Sequence, residues 1–204
     1  MYLSHNFMDF KIIFFLVGSY LIGSIPFAYI ITKTARGIDI RNFGSGNPGA
    51  TNVFRVAGKT YGLITLMFDF LKGLITVSVT KLFYPDLISI SIICGLLSII
   101  GHNWPVWLKF RGGKGFATSL GVLLGLIPLV TFFGLITFVI IFILTKYVSL
   151  SSVLSSIVVI AMCWIKREQL ILCLFVTLTG LMIIIRHRPN IVRLLKGTES
   201  KLKI

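Results

Sequence analysis

Three polar stretches carry nearly all the chemistry in this chain. The first, FGSGNPGATNVFR (Phe43–Arg55), interleaves Gly44, Gly46 and Gly49 with Ser45, Asn47, Thr51 and Asn52 and closes on Arg55. Glycines let backbone N–H groups approach a ligand and shape an anion-accepting concavity. A helix starting near Ala50 would turn its positive amino end toward the same anion. The second, GHNWPVWLKFRGGKGFATS (Gly101–Ser119), sets Lys114 among Gly112, Gly113 and Gly115, at the mouth of a helix beginning near Phe116. A lysine so placed is a point charge for a phosphate. Its GGKG resembles a fragment of a nucleotide P-loop, but the pattern GxxxxGK[ST] is not met: the earlier glycine is missing, and Gly115 follows the lysine in place of Ser or Thr. His102 and Asn103 close an apolar run and either cap it or, for His102, hydrogen-bond a substrate oxygen. Trp104 and Trp107 read as interfacial belt residues. The third stretch, RHRPN, supplies Arg186, His187, Arg188 and Asn190, followed by Arg193. Arg188, Lys201 and Lys203 read as lipid anchors, whereas the His-x-x-Asn pair beside Pro189 is less routine.

The shared inventory is cations, glycines, amides and hydroxyls. A Cys/His metal set, a Ser-His-Asp arrangement and a pair of loop carboxylates are all missing, with Asp39 nearly alone in the loops. Such a site holds anions and offers no general base of the usual kind. No metal and no cofactor are expected. Cys94, Cys163 and Cys173 lie within apolar runs, without CxxC spacing, and read as buried free thiols.

The elements that must position these stretches are apolar. The chain is 56% hydrophobic and 13% charged, against roughly 25% charged in soluble domains. Apolar runs cover Ile12–Thr32, Leu63–Leu82, Leu87–His102, Phe116–Thr145, Val148–Ile165 and Leu170–Ile185. This is the pattern of an all-α polytopic membrane protein. The first run lacks a cleavage pattern and reads as an uncleaved span continuing through SIPFAYIITK. Lys and Arg number 20 against six Asp and Glu. In this setting the excess indicates cytoplasmic loops and anionic lipid, not nucleic acid. It places the Lys33–Thr60 loop, the Trp104–Gly115 loop and the tail in the cytoplasm. The Phe116–Thr145 run, about 45 Å as one helix, is too long for a single span. A turn at Pro128 yields seven transmembrane helices, some short, with the N-terminus outside and the C-terminus cytoplasmic. Six crossings or a re-entrant hairpin are the alternatives. Asp69 and Lys72, spaced i, i+3 within a span, are costly charges that read as a structural pair, with a reach into the same polar cavity as the alternative. One domain over residues 1–204 is expected.

With these residues in view, the chain resembles the bacterial membrane glycerol-3-phosphate acyltransferases that use acyl phosphate as donor. SGNPGATN (Ser45–Asn52), GHNWPVWLKFRGGKGFAT (Gly101–Thr118) and HRPNIVRLLKGTE (His187–Glu199) carry the resemblance, with GSIPFAYII (Gly23–Ile31). It covers essentially the whole chain, and the three motifs in order are specific together. It implies a seven-helix fold in the bacterial inner membrane with the motifs facing the cytoplasm. The implied reaction transfers a fatty acyl group to the sn-1 hydroxyl of glycerol 3-phosphate, giving lysophosphatidic acid and phosphate. The implied partners are those two substrates, membrane lipid and the enzyme that supplies acyl phosphate. Carried over by motif position, Ser45, Arg55, Lys114, Asn190 and His187 are catalytic, and Gly46, Asn47, Thr51, Asn52, His102, Gly112, Gly113, Gly115 and Arg193 bind substrate. Other glycerol-phosphate acyltransferases use a His-x4-Asp pair. Here Phe10, Trp107 and Val192 stand where that Asp would be, so a distinct mechanism is required. Direct attack by the glycerol hydroxyl, with a substrate phosphate taking its proton, fits the inventory; an acyl-Ser45 intermediate is the competing route. An organic-phosphate transporter would use the same cations, but repeat-related halves are not evident. A lipid scaffold would not need three glycine-amide clusters.

Overall fold

In a computed structural model the chain is helical almost throughout; the structure describes residues 2–202, with side chains from residue 10 onward, and these contain no strand. The helices in order are α1 (Tyr2–Ser24), α2 (Phe27–Arg36), α3 (Ala50–Ala57), α4 (Lys59–Phe83), α5 (Ile88–Asn103), α6 (Phe116–Leu126), α7 (Pro128–Thr145), α8 (Val148–Ile165), α9 (Leu170–Arg186) and α10 (Arg188–Leu195). Among the described residues, five stretches are long and apolar enough to cross a membrane: Phe10–Arg36, Lys59–Phe83, Ile88–Leu108, Pro128–Thr145 and Val148–Ile165. The pair α9 and α10, bent by 55°, makes a sixth if taken as one span.

The long apolar run does break at Pro128, which occupies the start of α7 where its missing N–H is no loss. The chain doubles back there, since Phe116 at the head of α6 stacks on Phe138 of α7 with ring centroids 5.2 Å apart. With 11 residues, α6 is only about 17 Å long and depends on its neighbours. Lys81 Nζ donates to the Gly125 carbonyl at 3.0 Å, satisfying a group near its end. Glycines bring α6 against α4: a Cβ would fall 2.2 Å from the Thr118 carbonyl oxygen at Gly73, and 2.1 Å from that of Phe70 at Gly121. Lipid is as apolar as the side chains, so close backbone approach supplies the attraction between such helices. Beside this seam, Val77, Ile99, Val122, Val130, Cys163 and Val176 form the centre of the main apolar cluster.

The first span departs from expectation. The helix does not continue through SIPF; it stops at Ser24 and restarts at Phe27. Pro26 has no N–H to give and drives Ile25 out of the helical region. The Ile25 carbonyl accepts the Phe27 N–H at 3.1 Å across the break and also accepts from Lys72 Nζ at 3.0 Å. Lys72 also lies 2.9 Å from Asp69 Oδ1, both side chains almost fully buried. The pair thus ties α4 to the α1–α2 break.

Candidate functional site

The three polar stretches meet in one open cleft of about 920 Å³. The first contributes Ser45, Gly46, Asn47 and Pro48, together with Arg41 and Asn42 just before it. The second adds Arg111, Gly112 and Lys114, and the third adds Ile185, Arg186, Arg188, Pro189, Asn190 and Arg193. Six of these residues are cations and none is a carboxylate.

The first wall is held by an amide. Asn52, 1% exposed on α3, donates through Nδ2 to the carbonyls of Ile40 (3.3 Å) and Phe43 (2.9 Å) and accepts from the Ser45 N–H at 2.9 Å. Asn52 therefore positions Ser45 and does not itself line the cleft; Thr51 on the same helix is also outside the lining. Arg41 enters already paired, with Nη2 2.6 Å from Asp39 Oδ2.

The second wall departs from the sequence expectation. The resemblance offers Gly46, Gly112 and Gly113 as substrate-binding glycines whose N–H groups could face an anion. Instead Gly46 donates to the Phe43 carbonyl (3.0 Å), Gly112 to Asn103 (3.2 Å) and Gly113 to His102 (3.1 Å). Main-chain donors are paired within the fold wherever a carbonyl is in reach, and the Gly112 and Gly113 bonds fix the turn. Arg186 clamps that turn from α9: Nε donates to the Gly113 carbonyl at 2.9 Å, and Nη2 to those of Asn103 (3.2 Å) and Gly112 (3.3 Å). Its guanidinium lies 4.9 Å from the Trp104 ring centroid, which gives that residue a partner beyond lipid. Lys114 projects from the clamped turn into the cleft and donates to Asn190 Oδ1. Gly113 and Gly115 sit behind it, Gly115 at φ +83° as the N-cap of α6. His102 also faces away from the cleft, with Nδ1 3.4 Å from Asp69 Oδ1.

The third wall is organised by a residue absent from the sequence candidates. Glu199, 8% exposed, accepts at Oε1 from Asn190 Nδ2 (2.6 Å) and Ser149 Oγ (2.8 Å), and at Oε2 from Arg193 Nε (2.7 Å). The available signal was its charge: no other acidic residue follows Glu168 in this basic tail. Arg55 reaches the same tail, with Nη2 donating to the Ser200 carbonyl at 2.8 Å, and does not line the cleft. His187 is buried at the α9–α10 bend, its Nδ1 2.8 Å from the Ile183 carbonyl oxygen, and is likewise outside the lining. Beyond Glu199, the Leu202 N–H donates to the Lys146 carbonyl at 2.9 Å, strapping the tail to the α7–α8 turn.

Burial pushes the Lys114 ammonium down to about 8, with Arg193, Arg55 and Arg186 adding repulsion and Glu199 opposing it. For Glu199, burial alone would raise the carboxyl, but hydrogen bonds from Asn190, Ser149 and Arg193 hold it below the usual range. An ammonium held by a fixed amide, in a cleft that an exposed serine hydroxyl also lines, is a seat for a small anion. Among the described residues, no group of His, Cys, Asp and Glu could hold a metal ion, and the three cysteines are buried and unbridged.

These features define a helical integral membrane protein with a cation-lined polar cleft assembled from three separate loops. The chain belongs to the glycerol-3-phosphate acyltransferase family, whose profile matches residues 13–197. It is 46% identical over 184 residues to a glycerol-3-phosphate acyltransferase of Thermoanaerobacter sp. (strain X514), covering 90% of this chain and 92% of that one. It is 44% identical over 200 residues to one from Clostridioides difficile (strain 630), covering 95% and 96%. Among solved structures it resembles PlsY (YgiH), an integral membrane glycerol 3-phosphate acyltransferase. In the glycerol 3-phosphate form the TM-score is 0.90 at 38% identity, covering 95% of this chain and 96% of that one. In the lysophosphatidic acid form the TM-score is 0.86 at 38% identity, covering 94% and 95%.

Proposed function

We propose that this chain, as one membrane-embedded unit, transfers a fatty acyl group from acyl phosphate to the sn-1 hydroxyl of glycerol 3-phosphate, forming lysophosphatidic acid and phosphate. Family membership supports the acyltransferase class. The cleft is the observation that carries the rest: its lining, which includes Ser45, Lys114 and Asn190, has six cations and no carboxylate. Two phosphate-bearing reactants repel each other, and Lys114, Arg193 and the unpaired rim arginines offset that repulsion while orienting them. An acyl phosphate is a mixed anhydride, already activated, so a site without a protein base suffices. In this reading the glycerol hydroxyl attacks the acyl carbonyl, a substrate phosphate accepts its proton, and inorganic phosphate leaves. Ser45 Oγ donates to a phosphate or to the developing oxyanion; Asn190, whose amide is engaged by Lys114 and Glu199, fixes the ammonium. Arg55 and His187 act from behind the cleft wall, Arg55 by holding the tail. Seven membrane-spanning helices, counting the short α6, with the N-terminus outside and the cleft facing the cytoplasm of a bacterial plasma membrane, fit the charge distribution. The enzyme supplying acyl phosphate is then a cytoplasmic partner.

Purified protein incubated with palmitoyl phosphate and glycerol 3-phosphate tests the reading. Lysophosphatidate and inorganic phosphate in equal amounts are expected. Activity only with acyl carrier protein or coenzyme A thioesters would overturn the donor, and phosphate uptake into vesicles without chemistry would favour a transporter.

A further inference from the structure

A second polar assembly lies behind the cleft, inside the helix bundle. Asp69 and Lys72 on α4 are 2% and 4% exposed, and His102 at the end of α5 is 8% exposed. Asp69 Oδ1 faces both Lys72 Nζ (2.9 Å) and His102 Nδ1 (3.4 Å). Charges at this depth are expensive, and a well-packed apolar trio would be cheaper for stability alone. What the assembly touches gives it a use. With Ser24 and Ile25 it lines a small space of about 10 Å³ bounded by Pro48, Gly112 and Gly113. Pro48 and Gly112 also line the cleft, so the two spaces share a wall. His102 supports that wall twice. Its carbonyl accepts the Gly113 N–H at 3.1 Å, and its ring fills the place of a side chain at Gly113, where a Cβ would fall 2.2 Å from Nε2. The next residue is Lys114.

We infer that Asp69 is a positioning residue: through His102 it fixes the Gly112–Gly113 turn and thereby the reach of the Lys114 ammonium into the cleft. Lys72 is its counter-charge and, through the Ile25 carbonyl, joins the α1–α2 break to the same frame. Arg186 holds the turn by its carbonyl oxygens from one side, and the buried trio backs it from the other. The inference deepens the phosphate-binding role proposed for Lys114 and rests on that reading.

The test uses full-length protein in detergent, with inorganic phosphate and glycerol 3-phosphate as probes. Affinity is read from ligand-induced shifts in melting temperature, and turnover is read in parallel. Asp69→Asn leaves Lys72 buried without its counter-charge, so it is paired with Asp69→Asn/Lys72→Met, which removes both charges. The double variant is expected to melt close to wild type yet to bind phosphate about tenfold more weakly, with kcat/KM for glycerol 3-phosphate reduced by about tenfold or more, as misplacement of a reacting group by a fraction of an ångström does. Gly113→Ala, which drives into the His102 ring, is expected to give the same phosphate defect. Combined with the Asp69 and Lys72 changes it should add no more than about twofold, since both act through one contact. Wild-type phosphate affinity and turnover in the double variant would overturn the inference, as would fully additive losses. Wild-type protein that binds phosphate but makes no lysophosphatidate would instead sink the acyltransferase reading, leaving the positioning role to be judged on phosphate affinity alone.

Discussion

Lys114 and Asn190 meet side chain to side chain across the cleft, the ammonium donating to the amide oxygen while the amide nitrogen donates to Glu199 at 2.6 Å. The two come from different polar stretches, so a single contact joins the glycine-rich turn to the bend between α9 and α10. Glu199 does not pair with the lysine directly: the neutral amide stands between them, and the carboxylate acts on the ammonium only as a field through space. Lys114 is thereby held in place without being neutralised, which leaves its charge for a ligand.

Lys114→Ala should reduce lysophosphatidate formation by at least about a hundredfold, the usual scale for removing one charged stabilising donor. The melting temperature should change little, because Lys114 is half-buried at a cleft surface and its loss leaves no strong donor orphaned. Near-normal turnover in a folded variant would remove Lys114 from the chemistry.

The pH dependence follows from the same group. Free Lys114, pushed to about 8, is charged below that pH and loses its proton as pH rises through it. Affinity for phosphate should therefore fall above about pH 8, and bound phosphate should move the falling limb upward. The stability effect has the opposite sign. The unfolded chain, with an ordinary lysine at 10.5, holds the proton more tightly, so this group adds stability as pH rises from about 8 toward 10.5. Phosphate titrations followed by melting at several pH values separate the two trends.

Glu199→Ala should damage fold and activity together. It strands Asn190, Ser149 and Arg193 at once. Leaving buried partners unsatisfied costs about 2–4 kcal/mol. A melting temperature lowered by several degrees, together with loss of turnover, is the expected outcome; Glu199→Gln should recover part of the stability.

Gly121→Leu tests the seam under the site. The Phe70 carbonyl leaves no room for a first side-chain atom, so α6 must move off α4 and carry Lys114 with it. Loss of folded protein in detergent is expected, and a variant that melts like wild type would contradict the packing.

Orientation is tested by single cysteines placed in a variant lacking Cys94, Cys163 and Cys173. A cysteine at Lys201 should be labelled by impermeant maleimide only after cells are opened, and one at Arg167 in intact cells. The reverse pattern would invert the proposed topology.

Much of this architecture was legible in the sequence because it rests on local rules. Pro128 had to break a run too long for one span, and glycine, amide and cation clusters marked the loops that converge. What could not be read depends on three-dimensional neighbours. Asn52 resembles a ligand-binding amide in sequence, yet it is spent bolting Ser45 in place. His102 and His187 look available and prove to be buried, facing Asp69 and the Ile183 carbonyl. The N–H groups of Gly112 and Gly113 were expected to serve a ligand, but His102 and Asn103 consume them. The break at Pro26 was hidden because a proline can also open a helix without interrupting a span, and the partners of the Ile25 carbonyl, the Phe27 N–H and Lys72 Nζ, meet it only in the folded chain.

The strap from Glu199 to Leu202 gives synthesis of the protein an order. Ser45 and Lys114 emerge from the ribosome early, but the carboxylate that anchors Asn190 and Arg193 arrives only after α9 has been made. Until then a nascent chain carries Lys114 and its neighbouring arginines without their organising counter-ion, so ligand-holding ability should appear only once the Glu199–Leu202 segment has been made and folded back.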